Sequence, residues 1–201
     1  MTFKAIGFDH GGVIEPAGGK AYNKKIEDLL NITPETRREI YFKYNHLANN
    51  GHISYEELWH KILTELGLLD KYDEMLKLIH DPIMHDIDNR ILDLVDNLKK
   101  NSYKVGLLSN HGKNGREKFE IADLIKHFDT VLISAEVGCS KPDPKIFKLF
   151  CKQLQVKPNE LIYIDDARRS LSTAEEVGYQ PILYTDYNSL IKDLENLNIK
   201  L

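Results

Sequence analysis

Residues 161–166 read Leu-Ile-Tyr-Ile-Asp-Asp, a run of four apolar residues followed at once by two carboxylates. The run is short, rich in β-branched and aromatic residues and bounded by polar ones, which is typical of a buried strand in a parallel sheet. Two adjacent carboxylates repel each other unless a cation lies near them. The stretch therefore predicts a strand whose carboxyl end faces a cation.

Similar apolar runs recur along the chain, and helical patterns lie between them. Strands are predicted over residues 5–8, 105–108, 131–133, 161–164 and 181–184. Helices are predicted over residues 89–100, 115–127, 144–155, 168–177 and 189–197. The alternation of strand and helix favours right-handed βαβ units. The predicted fold class is α/β, with a doubly wound, Rossmann-like parallel sheet.

Residues 15–85 break this alternation, because they carry helix signals and no convincing strand. Gly51 favours a helix end, and residues 54–57, Ser-Tyr-Glu-Glu, form a capping box that opens the next helix. We expect residues 15–85 to form a small inserted helical cap. Residues 1–14 and 86–201 would then make up the Rossmann-like catalytic core.

Composition and charge narrow the class of protein. With 201 residues, of which 42% are hydrophobic and 29% charged, the chain has room for one substantial core and a small extra module. A formal net charge of -4 gives no general attraction to nucleic acid or anionic lipid. The first residues lead straight into a strand rather than into a signal peptide, and Cys139 and Cys151 lack metal-ligand spacing. We expect a cytoplasmic protein that binds neither nucleic acid nor membrane.

Polar side chains follow the predicted strands at the edge where open parallel sheets bind ligands. They are Asp9, Ser109-Asn110 and Asp165-Asp166, with Lys141 in the loop after the third strand. Three strand ends thus carry groups able to hold a metal or an oxyanion, and one loop adds a positive charge. We expect these side chains to converge.

Four segments carry these residues in order: Phe8-Asp9-His10-Gly11-Gly12-Val13-Ile14, Leu107-Leu108-Ser109-Asn110, Ser140-Lys141-Pro142-Asp143-Pro144 and Ile162-Tyr163-Ile164-Asp165-Asp166. Together they resemble the four motifs of the haloacid dehalogenase superfamily, specifically its helical-cap branch of small phosphatases. Residues 50–57 also resemble the cap of sugar-phosphate phosphatases in this branch. The resemblance covers essentially the whole chain.

The resemblance implies an Mg²⁺-dependent hydrolase of a small phosphorylated metabolite, such as a sugar phosphate. Asp9 would be the nucleophile that forms an aspartyl-phosphate. Lys141 would balance the charge of Asp9 and of a phosphate oxygen. Ser109 and Asn110 would bind the substrate.

The resemblance also implies the metal ligands, which are oxygen atoms of the kind that Mg²⁺ prefers. They are Asp9, the backbone carbonyl of Gly11, and the carboxylates of Asp165 and Asp166. Asp166 is expected to bind directly and Asp165 partly through water.

Position 11 departs from the family pattern, because most phosphatases of this superfamily carry there an Asp that protonates the leaving group. Gly11 leaves that acid unassigned, although a related group of helical-cap phosphatases shares the Gly. His10 is expected to pack in the loop, whereas His111 could reach the phosphate pocket.

Three alternatives stay open. A hydrolytic 2-haloacid dehalogenase also lacks this acid, but it needs no metal and usually has a Ser- and Asn-rich segment where this chain has Asp165-Asp166. A non-catalytic phosphate-binding protein of the same fold would not need the nucleophile. A phosphoglycomutase would need the missing acid.

Overall fold

The short apolar runs form a five-stranded parallel sheet. The computed structural model describes residues 2–15, 18–80 and 87–201. The strands are β1 Ala5–Phe8, β2 Lys104–Ser109, β3 Thr130–Ile133, β4 Leu161–Asp165 and β5 Gln180–Leu183. Their order in the sheet is β3-β2-β1-β4-β5, and every neighbouring pair is parallel. The predicted α/β fold class with a Rossmann-like parallel sheet is confirmed.

Helices connect the strands and cover both faces of the sheet. They are α1 Gly18–Leu30, α2 Pro34–Asn49, α3 Tyr55–Leu66, α4 Tyr72–Ile79, α5 Asn89–Lys100, α6 Gly115–Ile121, α7 Ser134–Val137, α8 Pro144–Leu154, α9 Ala174–Val177 and α10 Tyr187–Asn196. Every helix of the described ranges is too short or too polar to cross a bilayer.

Alternation of side chains along each strand divides the core into two layers. One layer joins Ile6, Phe8 and their neighbours to helices α5 and α10, and the other joins Tyr163 to helix α8. On the second face Gly7 of β1 lies beside Gly106 of β2. These glycines make room for large aromatic rings of the second layer.

Helices α1 to α4 share a hydrophobic cluster of their own, centred on Trp59, Ile62 and Leu63. The capping box predicted at residues 54–57 opens α3, with Ser54 and Glu57 each binding the other's backbone N–H. The division into a 15–85 cap and a 1–14 and 86–201 core stays a prediction. Its boundary at residues 85–86 lies outside the described residues.

Two predicted helices are shorter than the sequence pattern indicated. The helix predicted over 115–127 ends at Ile121, and Asp123 adopts a left-handed backbone angle, φ 56°, before a 3-10 turn at Ile125–His127. Of the helix predicted over 168–177, only α9 is helical. Residues 168–173 form turns instead, with bonds such as Ser170 N–H to Ala167 C=O.

Candidate active site

Three carboxylates meet at the carboxyl edge of the sheet, because β1 and β4 are neighbours and end at the same level. Asp9 follows β1, Asp165 ends β4 and Asp166 comes directly after it. One oxygen of each side chain lies within 4.8 Å of the other two. The structure thus brings together the three carboxylates that the sequence predicted as metal ligands.

The ammonium group of Lys141 is buried next to this cluster. Its Nζ lies 2.8 Å from Asp9 Oδ1, 2.6 Å from Asp165 Oδ2 and 2.9 Å from the Tyr163 hydroxyl oxygen. An ammonium has three hydrogens, so each of them has an acceptor in the protein. A bond from Lys141 to a phosphate oxygen therefore requires one of the three to open.

Burial and charge act against each other at this site. Burial raises the pKa of Asp9 to about 7, even though Lys141 beside it lowers that pKa. Burial alone would lower the pKa of the Lys141 ammonium, but the charges of Asp9 and Asp165 outweigh it and the pKa is raised. Burial, followed by the charge of Asp165, raises the pKa of Asp166. Three carboxylates against one ammonium leave an excess of negative charge, which suits a divalent cation.

The carboxylate oxygens differ in how many hydrogen-bond donors of the protein reach them. Asp9 Oδ1 accepts both Lys141 and the backbone N–H of His10, at 2.7 Å. Asp165 accepts Lys141 on Oδ2 and the backbone N–H of Ala167 on Oδ1, at 2.9 Å. Asp166 is exposed. Fewer protein donors therefore reach the second oxygen of Asp9 and the side chain of Asp166 than reach Asp9 Oδ1 or Asp165.

Asn110 anchors the loop that carries Lys141. Its Oδ1 accepts the backbone N–H of Lys141 at 2.8 Å, and its Nδ2 donates to the Lys141 carbonyl at 2.9 Å. Ser109, the last residue of β2, is buried directly before it. The predicted substrate contacts of Ser109 and Asn110 stay predictions, and the amide of Asn110 has a structural partner that the sequence did not indicate.

The loop after Asp9 has room where the family pattern places an acid. Gly11 bridges to Glu15, and no described atom lies within 4 Å of where a Cβ of Gly11 would be. The role of its carbonyl as a metal ligand stays a prediction. The rings of His10 and His111 both pack against Phe119, with centroids 4.5 Å and 5.6 Å away, which confirms the packing expected for His10.

Sequence reasoning missed two residues. Tyr163 was interpreted only as part of an apolar strand, but its hydroxyl contacts Lys141. The signal was its spacing, because residues two apart on a strand share a face and Tyr163 precedes Asp165 by two. Gly12 was the other, since its backbone lies against the Asp166 carboxylate.

Comparison with known proteins places the chain in a family. The profile of the haloacid dehalogenase-like hydrolases matches residues 22–184. The chain belongs to this family. D-ribitol-5-phosphate phosphatase of Bacteroides thetaiotaomicron is 27% identical over 186 residues, which cover 88% of this chain and 89% of that protein.

A second group of relatives is much longer than this chain. Bifunctional epoxide hydrolase 2 of Rattus norvegicus is 31% identical over 116 residues, covering 55% of this chain. The match spans 21% of that protein, and 27% of the enzyme of the same name from Sus scrofa.

Solved structures share the fold. A haloacid dehalogenase family enzyme of Bacteroides thetaiotaomicron, solved as a magnesium complex, matches with a TM-score of 0.70 at 22% identity, over 96% of this chain and 100% of that one. A dehalogenase matches with a TM-score of 0.73 at 17% identity, over 100% and 99% of the two chains. Identities this low show the fold alone.

Proposed function

We propose that this family member is an Mg²⁺-dependent phosphomonoester hydrolase that acts through an aspartyl-phosphate on Asp9. Its substrate would be a small phosphorylated metabolite such as a sugar phosphate. The observation that carries the proposal is the position of Lys141, which holds a buried positive charge against Asp9 and Asp165 while Asp166 lies exposed beside them. The phosphatase activity in the name of the Bacteroides relative supports it.

In the first step Asp9 attacks phosphorus through the oxygen that Lys141 does not hold. The ester P–O bond breaks, and its electron pair leaves with the alcohol oxygen, which takes a proton from solvent because position 11 has no acid. Water then attacks phosphorus, and the bond from Asp9 to phosphorus breaks. The products are inorganic phosphate, the alcohol and the free Asp9 carboxylate.

The donor set fits Mg²⁺, because its atoms are hard oxygens around an excess of negative charge. Asp9, Asp166 and the Gly11 carbonyl would hold the ion, with Asp165 acting partly through water since both its oxygens already accept protein N–H groups. A bound Mg²⁺ offsets the repulsion between a phosphate dianion and the attacking carboxylate. The ammonium of Lys141 would supply the remaining positive charge.

A 2-haloacid dehalogenase is the second candidate, and Gly11 is the observation that favours it. Such an enzyme needs the nucleophile but no acid at this position. Adjacent carboxylates at 165 and 166 oppose it, because a metal-free reaction gives them no counter-ion beyond Lys141. The phosphatase proposal also includes a cytoplasmic location. Cys139 and Cys151 are both free thiols, as is usual for cysteines in that compartment.

The test is phosphate release from a panel of phosphomonoesters, with Mg²⁺ and with excess EDTA. Wild-type protein should release phosphate only with Mg²⁺, and Asp9→Asn should abolish release because an amide is a poor nucleophile and metal ligand. Asp186→Asn is the matched control, since Asp186 caps helix α10 and Asn serves equally well there. Chloride release from 2-chloropropionate in EDTA would instead establish the dehalogenase.

A further inference from the structure

We propose that Tyr163 is a positioning residue that holds the Lys141 ammonium in place between Asp9 and Asp165. The kinetic part of this inference rests on the proposed phosphatase function. Tyr163 lies in the middle of β4, below the edge of the sheet where the carboxylates meet. It acts on the reaction through Lys141 and would not touch the substrate.

The hydroxyl of Tyr163 makes two hydrogen bonds that set its direction. It donates to the backbone carbonyl of Leu108 at 2.9 Å and accepts from Lys141 Nζ at 2.9 Å. A phenol has one hydrogen, so donation to Leu108 turns an oxygen lone pair toward the ammonium. Asp165 Oδ2 lies 3.5 Å from the same hydroxyl, at the outer limit for a hydrogen bond. Tyr163 therefore offers Lys141 a neutral acceptor beside two charged ones.

The sheet is built to hold this ring in one place. Tyr163 lies opposite Gly7 of β1, and a Cβ on Gly7 would lie 2.8 Å from Tyr163 Cδ2. The ring also meets Phe147 edge-on, with centroids 5.2 Å apart, and Phe150 in the same way at 6.2 Å. Because close packing on all sides fixes the ring, the hydroxyl has little freedom to leave Lys141.

The third hydrogen bond matters because of the chemistry of lysine. The side chain is a flexible stem of four carbons, and its ammonium can rotate and shift when an acceptor is missing. In a buried site an N–H without an acceptor is costly, so the group would move toward another partner. Two carboxylates alone would leave one hydrogen of the ammonium without an acceptor. Tyr163 supplies the third acceptor, next to Asp165 Oδ2, which lies 3.5 Å from the Tyr163 hydroxyl.

The experiment compares Tyr163→Phe with Tyr179→Phe. Both substitutions remove one buried hydroxyl from the same aromatic cluster, where the two rings lie 6.0 Å apart, but only Tyr163 bonds to Lys141. We expect kcat of Tyr163→Phe to fall about 10-fold, the size that follows from losing a hydrogen bond to a charged group, with KM unchanged. Tyr179→Phe should keep the wild-type kcat and KM. Replacement of Tyr163 by 4-aminophenylalanine, which keeps the ring size and a donor to Leu108 but accepts poorly, should repeat the loss in kcat.

Three results would overturn the inference. One is an unchanged kcat in Tyr163→Phe, and the second is an equal loss in Tyr179→Phe, which would indicate a general packing defect. The third is a crystal structure of Tyr163→Phe in which Lys141 Nζ stays within about 0.5 Å of its wild-type position, the tolerance within which such groups are held. A wild-type protein that cleaves no phosphate ester would contradict the proposed function only, and the crystal structure would then decide the role of Tyr163.

Discussion

Gly12 occupies a position where the protein has no space for a side chain. A Cβ there would lie 2.2 Å from Asp166 Cγ, and the backbone angle, φ +81°, is one that L residues with side chains rarely adopt. Gly11 beside it has open space around it instead. The two neighbouring glycines thus have different reasons to be present. Gly12 allows Asp166 to approach the loop after Asp9, and Gly11 leaves open space where its own side chain would be.

Substitution of Gly12 by Ala should push the Asp166 carboxylate away from the other two. We expect kcat/KM to fall about 100-fold, since a displacement of about 1 Å in a catalytic group has that effect, and the Mg²⁺ concentration for half-maximal activity to rise. Gly138→Ala is the control, because Gly138 has a similar angle, φ +71°, and no described atom within 4 Å of its Cβ position. Equal losses in both variants would show that backbone strain, and not contact with Asp166, is responsible.

Gly11 predicts a dependence on the leaving group. A positioned general acid contributes about 10²- to 10⁴-fold, most of all when the departing oxygen is strongly basic. Without one, kcat/KM should fall steeply as the leaving-group pKa rises, from aryl and acyl phosphates or sugar 1-phosphates to simple alkyl phosphates. Gly11→Asp should flatten this dependence, because the loop has room for the side chain. A flat dependence in the wild-type protein would mean that another group supplies the proton, and His111→Ala would be the first variant to measure.

Elements with a strong apolar pattern were predictable from the sequence, and those set by single backbone angles were not. The bounds predicted for the helix over 89–100 agree with α5 residue for residue, because four buried apolar residues repeat along it at helical spacing. Helix α6 ends early at a turn around Asp123, whose left-handed angle leaves no periodic signal. The meeting of Asp9, Lys141 and Asp165 was predictable from their places after strands. The anchoring of Lys141 by Asn110 was not, because it depends on the path of two loops.

Helix α8 ends at Leu154, and the residue that caps it, Gln155, has a left-handed backbone with φ 59° and ψ 42°. Glycine adopts this conformation without a steric penalty, whereas other residues lose about 1 kcal/mol or more. Gln155→Gly should therefore raise the free energy of unfolding by about 1 kcal/mol in urea denaturation, with the slope unchanged. Gln155→Ala, which removes the side chain but keeps the penalty, should give no gain. Stabilisation of similar size by Ala would refute the conformational explanation.

At the scale of the whole molecule, the helices of the predicted cap share a hydrophobic cluster of their own and meet the predicted core at places that include the contact of α2 with α7. One such place is Gly51 at the end of α2, where a Cβ would lie 2.5 Å from the carbonyl oxygen of Ala135 in α7. Helix α7 follows β3, in the segment that leads to Lys141. Closure of the cap over bound phosphate would exclude water and complete the site. The close approach at Gly51 indicates where the predicted cap and core would be in contact during closure.

Gly51→Ala should weaken this closure. In the wild-type protein, vanadate with Mg²⁺ should slow hydrogen exchange at the cap edge and in the loops after the strands, and Gly51→Ala should reduce that protection and raise KM. Gly67→Ala is the control, since Gly67 also ends a cap helix at a similar angle, φ +69°, with no described atom within 4 Å of its Cβ position. The lid hypothesis fails if vanadate protects neither region in the wild-type protein, or if both variants behave alike.

The most direct test of the whole account is to trap the phosphorylated enzyme. Wild-type protein is mixed with Mg²⁺ and a rapidly cleaved phosphomonoester, quenched in acid within one turnover and digested for mass spectrometry. The account predicts a phosphoryl group on Asp9, its absence when Mg²⁺ is replaced by EDTA, and its absence in Asp9→Asn. A phosphoryl group on any other residue, or steady phosphate release from Asp9→Asn, would contradict it.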